Sequence, residues 1–356
     1  MLENSNESSQ IFYFGISEST MANIVVFMEA GTSVFLLAGN GFTLALIQKR
    51  KLLGRSTNIF VFSIAVADFL NGAVSIPAHI LSITYKGELS IYMCKCFTFV
   101  SYMSKTVVPY TVVFMSAEKT MRILCPTKEI VTVARCMFCT SLLWFFSASF
   151  NIWCVILFTT QENKRHSEIG FFETSSLSRC VLDQRFDYLH VPFLSIDLII
   201  LCIVPLSSTI IIFIILARSY FTVLKERIIT YFFVIKLLIA LYSVIFVCHI
   251  PLEIIILLDK MNSDGSPIWP LIVNCAIMFS FTRGIWNLLI YGYFKHYVCR
   301  KRHLTSIRAS NNFNKNVFRV NSLRQRSNRR RDVIWWQCTL LNLYKHVYYL
   351  LVIYLL

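Results

Sequence analysis

Seven stretches of this chain, near residues 24–47, 59–83, 97–117, 136–159, 192–217, 228–258 and 268–293, are apolar over the length of a membrane span. A bilayer's hydrocarbon core takes about 20 residues of helix to cross. Composition removes the soluble alternative: 56% of residues are hydrophobic and only 15% charged, where soluble domains carry about 25% charged residues. A soluble fold of this size has too little interior for so much apolar surface. The fold class is therefore an all-α membrane protein, a bundle of seven transmembrane helices.

The formal net charge of +15 looks like a nucleic-acid signal only until the charges are placed. They fall in short clusters between the apolar runs and in a basic tail after Lys295, where they act as topology signals and not as a nucleic-acid surface. Lys49, Arg50, Lys51 and Arg55 follow the first run. Lys119, Arg122, Lys128 and Arg135 follow the third, and Arg218, Lys225 and Arg227 follow the fifth. Basic connections stay in the cytosol, so the N-terminus lies outside. A sequon at Asn6 agrees with that orientation and makes Asn6 a candidate glycosylation site. The first 22 residues have no basic leader, so the first run is expected to be an uncleaved anchor. The expected organisation is an extracellular segment at 1–23, a helical domain at 24–303, a basic cytosolic tail at 304–332 and a hydrophobic segment at 333–356.

Several function classes lose support. No repeat relates the two halves, as an inverted-repeat transporter requires. No glycine-rich filter or charge ring suggests a channel. No H-E-x-x-H, G-x-S-x-G or P-loop is present, so no enzyme is indicated. The cysteines make a single C-x-x-C, 136-CMFC-139, which lies inside an apolar run and has no second pair or neighbouring histidine spacing for zinc, so neither metal nor cofactor is expected.

The runs carry motifs in a telling order: 39-GNG-41 in the first, 64-IAVADFL-70 in the second, Cys94 placed 24 residues before Glu118, then Trp144, Pro205 and Pro251. In that order and spacing they resemble the rhodopsin-like family of G-protein-coupled receptors over about residues 24–303. Asn40 and Asp68 match the family's asparagine and acid of helices one and two. Three departures mark a divergent member. The chain has 118-EKT-120 for Asp/Glu-Arg-Tyr, 248-CHIP-251 for Cys-Trp-x-Pro, and 287-NLLIY-291 for Asn-Pro-x-x-Tyr. The resemblance implies a plasma-membrane, multi-pass receptor with an extracellular ligand, heterotrimeric G protein and membrane lipid as partners.

Glu29, Asp68, Lys105, Asp197, Lys236, Glu253 and Arg283 lie within the apolar runs. Each costs about 2.5–3.5 kcal/mol to insert and so faces the bundle interior; Lys236, near the cytosolic end, is placed to snorkel instead. Arg283, Asn287 and Tyr291 recur every four residues and share one helix face. In the family that face meets Asp68, where relatives hold a sodium ion. An Asp68–Arg283 pair with a fixed cation is expected here, either as a switch or as plain packing. Ser101 with Lys105, and His249 with Glu253, share faces in the same way. By resemblance these line the ligand cavity with Asp197, Glu29 and His79. A Lys105–Glu253 pair would leave Asp197 and Glu29 for a cation, favouring a basic, amidated neuropeptide of the RFamide sort. Ser101, where amine receptors carry aspartate, disfavours monoamines. Alternatively, these charges merely pair with one another. His249, in place of tryptophan, is either a pH-sensitive element or a hydrogen-bonded core histidine.

The resemblance also implies a disulfide from Cys94 to Cys180, with Cys96 as competitor for the first position. At the cytosolic end it assigns Glu118 and Lys119 to G-protein coupling, and makes Pro251 the pivot of the sixth helix. The lysine keeps arginine's charge but not its planar fork. No acid faces it from the sixth helix, where Thr230 and Tyr231 fall. An amphipathic segment follows Tyr293, with Cys299 a candidate for palmitoylation. The stretch 333–356 is open between a span and a surface-associated segment. The rival functions are a chemosensory receptor for an environmental small molecule and, in a different class, a seven-helix transporter or channel.

Overall fold

The computed structural model describes residues 12–13, 16–84, 90–124, 131–161, 179–223, 228–261 and 269–293. Asn6, Cys299, the tail and the segment 333–356 lie outside the described residues. The chain divides into two compact units, Met1–Ile285 and Trp286–Leu356. In the second, residues 286–293 are described, and they are helical.

The seven runs become helical spans, most of them longer than their apolar cores. Span one is α1 (Glu18–Lys49), preceded by a short hairpin of β1 (Phe12–Tyr13) and β2 (Ile16–Ser17). It begins ahead of the apolar run, at Glu18. It ends where Lys51 takes a left-handed φ of 48°. The basic turn that follows is closed by Asn58, whose Nδ2 donates to the Leu52 carbonyl at 2.8 Å.

Span two is α2 (Ser56–Leu70), a π-helical turn over Asn71–Ser75, and α3 (Ile76–Thr84). Pro77 has no N–H to donate back to residue 73, and the wider turn falls just before it. The Gly72 carbonyl in that turn accepts from Ser33 Oγ of span one at 2.7 Å. Span five repeats the device: α7 (Asp187–Leu198), a π turn at Ile199–Ile203 ahead of Pro205, then α8 (Val204–Val223). There Tyr110 Oη donates to the Ile200 carbonyl at 2.9 Å.

Span three is α4 (Ile91–Leu124), the hub of the bundle, touching α2, α5, α8 and α9. Val107, Val108, Val112 and Met115 on it are fully buried. Span four is α5 (Val133–Phe150), capped by Thr132 Oγ1, and the short α6 (Trp153–Leu157). Asn151 fills the break between them, donating to the Ser147 carbonyl at 2.7 Å and to Thr106 Oγ1 at 2.9 Å. Trp144 Nε1 reaches across to Ser63 Oγ of span two at 3.0 Å. Beyond α6, β3 (Phe158–Gln161) pairs antiparallel with β4 (Arg179–Leu182), placing Thr160 opposite Cys180. Tyr102, Trp153, Cys154 and Leu157 form a core under this hairpin, packed by Phe99, Phe158 and Phe193.

Span six is α9 (Ile228–Met261) and span seven starts with α10 (Trp269–Phe281), followed after Thr282 by helical residues 283–293. Among the described residues, six spans are long and apolar enough to cross a membrane by length and composition alone. The remaining one, α4, carries Lys105 inside and Glu118, Lys119 and Arg122 towards its end. Large side chains such as Phe27, Phe138, Phe145, Ile211 and Val247 point outward, the face a bilayer covers.

Candidate functional site

Four groups of buried polar side chains run through the first unit. The first joins spans two, six and seven. Asp68 and Arg283 are 1% and 2% exposed, and Arg283 Nη2 donates to Asp68 Oδ1 at 3.3 Å. The other terminal nitrogen, Nη1, contacts His249 Nε2. A guanidinium only donates, so His249 Nε2 is the acceptor and the ring is neutral. His249 thus serves Arg283 in the core. Close packing makes this junction possible. A Cβ on Gly284 would lie 2.6 Å from Leu36 Cδ2 and 3.0 Å from Asp68 Cγ, and one on Gly72 would lie 2.9 Å from Leu36 Cβ. Two glycines therefore seat one leucine of span one and bring the seventh span onto Asp68, as small residues do at close helix contacts. Asn40 is buried on span one.

The second group is the candidate ligand site. Lys105 Nζ lies 3.8 Å from Glu253 Oε1 and 4.7 Å from the centre of the Tyr102 ring. Asp197 is fully buried, Glu253 is 3% exposed, and neither Asp197 oxygen has a hydrogen-bond partner among the described residues. The ammonium thus faces the Glu253 carboxylate at a distance too long for a hydrogen bond. Ser101 sits one turn from Lys105 and is half-buried.

In the third group His79 Nδ1 sits 2.8 and 3.0 Å from the two carboxylate oxygens of Glu29. Packing of α1 against α3 closes this pair. The His79 ring also meets Phe281 edge-on at 6.2 Å. Spacing along one helix shows which face a residue occupies; it cannot show which residue of another helix stands opposite.

The fourth group lies at the far end of α4. Glu118 Oε1 accepts from Ser56 Oγ at 2.6 Å and from Arg122 Nε, while Lys119 Nζ lies 3.0 Å from Glu118 Oε2 and also donates to Thr57 Oγ1. Arg122 Nη2 adds bonds to Ser56 Oγ at 3.1 Å and to the Val131 carbonyl at 3.3 Å. The acid–base pair is therefore anchored to the start of span two and the approach to span four. In the sequence Arg122 read only as a topology charge, and Ser56 went unread. The Glu118–Arg122 spacing of four was the available signal; nothing marked Ser56.

On the opposite side Cys94 is buried and disulfide-bonded, and Cys96 is free and exposed. Cys94 Sγ is 3.5 Å from the Thr159 carbonyl, next to the Thr160–Cys180 backbone pairing.

Seven apolar helical segments around a core of buried charges define a polytopic membrane protein. The chain belongs to the rhodopsin family of seven-transmembrane receptors: the model for the "7 transmembrane receptor (rhodopsin family)" matches residues 39–291. That family is one of signalling receptors, not enzymes. No curated protein matches the sequence.

Proposed function

We propose that the protein is a plasma-membrane receptor that binds an extracellular neuropeptide with a basic group, of the amidated kind, and activates a heterotrimeric G protein. The observation that carries this reading is Asp197, a fully buried carboxylate with no hydrogen-bond partner among the described residues. Buried charges are stable when paired. Lys105 lies beside Glu253, which leaves Asp197 as the acid for a guanidinium or ammonium from a ligand. Because Asp197 is sealed, a ligand that reaches it parts α7 from α9. Pro251 within α9 then lets the cytosolic half swing outward and open a cleft for G protein.

The same reading assigns a Cys94–Cys180 disulfide, glycosylation at Asn6 and palmitoylation at Cys299. It gives coupling roles to Asn40, Asp68, Glu118, Lys119, Pro251, Arg283, Asn287 and Tyr291. The test is a screen of amidated peptides on cells expressing the receptor, read by separation of labelled G-protein subunits. Activation by basic peptides supports the proposal. Activation by environmental small molecules alone would replace it with the chemosensory reading, and current without G protein would point to a channel.

A further inference from the structure

Membership of this family raises a specific question at Asp68, where relatives hold a sodium ion. The residues here do not fit that ion. A bound sodium needs space and a shell of neutral oxygens beside the carboxylate. Here a guanidinium stands instead, with Arg283 Nη2 at 3.3 Å from Asp68 Oδ1 and Arg283 only 2% exposed. Span seven also approaches Asp68 closely, since a Cβ added at Gly284 would lie 3.0 Å from Asp68 Cγ and 3.2 Å from its Cβ. The next neighbour, His249, uses its ring nitrogen to accept from Arg283 and has no oxygen to offer. A second cation would face both a filled volume and like charge.

We infer that Arg283 is a tethered cation that takes the place of the sodium ion, so that this receptor is not under sodium control. Its guanidinium neutralises Asp68 without any ion. Its two terminal nitrogens bind span two through Asp68 and span six through His249, while its backbone belongs to span seven. A dissociable ion at such a junction makes the resting arrangement depend on salt. A side chain in the same position fixes it. Neither the identity of the ligand nor coupling to G protein enters this inference.

The experiment uses the full-length receptor purified in detergent. Its melting temperature is followed as sodium chloride replaces N-methyl-D-glucamine chloride at constant ionic strength. The wild type is expected to show no sodium-specific shift. Arg283→Ala opens the site and is expected to gain a saturable upward shift of about 3 °C or more, and Arg283→Ala combined with Asp68→Asn loses it again. Arg283→Lys keeps a tethered cation and stays insensitive. A sodium-specific shift in the wild type that Asp68→Asn abolishes would overturn the inference, as would a folded Arg283→Ala protein that ignores sodium. Should Arg283→Ala fail to fold, the wild-type and Arg283→Lys titrations still decide the matter.

Discussion

Replacing Gly284 by alanine adds one methyl group at the point where spans one, two and seven meet. That Cβ would sit 2.6 Å from Leu36 Cδ2, 3.0 Å from Asp68 Cγ and 3.2 Å from Asp68 Cβ, where ordinary contacts between carbons begin near 3.5 Å. Leu36 cannot simply turn aside. It is 1% exposed, and its own Cβ would be 2.9 Å from a Cβ at Gly72. Asp68 cannot move without lengthening its bond to Arg283. The substitution therefore forces a helix shift, and overpacking of this kind costs about 1–3 kcal/mol. Gly31→Ala is the matched control, because a Cβ there meets nothing within 4 Å. It adds helix propensity and is expected to be neutral or stabilising by up to about 1 kcal/mol. Thermal unfolding of the purified receptor, followed by loss of the monodisperse peak after heating, separates the two. Gly284→Ala should melt several degrees below wild type and Gly31→Ala no lower. Equal melting of both variants would show that the close approach at Leu36 and Asp68 is not what holds span seven.

Three further outcomes are expected. Lys105→Met removes the cation 3.8 Å from the buried Glu253 carboxylate, and should cost about 3–5 kcal/mol; the double variant with Glu253→Gln should recover part of it, and an additive double variant would deny the pair. Ser56→Ala deletes the 2.6 Å hydrogen bond to Glu118 at a cost of about 1.5–3 kcal/mol. Its basal G-protein activation should rise as span three loosens from span two, and unchanged melting together with unchanged basal signal would count against the latch. Cys94→Ser breaks a disulfide and should cost about 2–5 kcal/mol. Cys96→Ser, at a free and exposed thiol, should leave cell-surface expression as it was, and matching losses in both would undo the distinction.

Much of the bundle was legible because membrane burial makes charge expensive and helices repeat every 3.6 residues. Asp68 and Arg283 stood out as intramembrane ions on facing spans, and their bond is present at 3.3 Å. Lys105 and Glu253 were found the same way, at 3.8 Å. What a single sequence does not carry is the register between helices. His79 and Glu29 both read as cavity residues, yet α1 and α3 close them onto each other. The π turns at Asn71–Ser75 and Ile199–Ile203 were hidden for a related reason. Pro77 and Pro205 announce a disturbance, but whether a helix kinks or widens depends on what donates to the freed carbonyl. Here Ser33 and Tyr110 decide it, from other spans. Gly284 and Gly72 matter through Leu36, a contact no spacing rule exposes.

The central claim is that Asp197, buried and with no hydrogen-bond partner among the described residues, receives the positive charge of an extracellular peptide, and Asp197→Asn is nearly isosteric. The decisive measurement is the potency of an activating basic peptide on wild type, Asp197→Asn and Glu253→Gln at matched surface expression. The account predicts a 10- to 100-fold loss at Asp197→Asn, equivalent to about 1.4–2.8 kcal/mol, and no loss when the peptide's basic group is replaced by a neutral one of the same size and tested for discrimination between the two receptors. Unchanged potency in both carboxylate variants would contradict it.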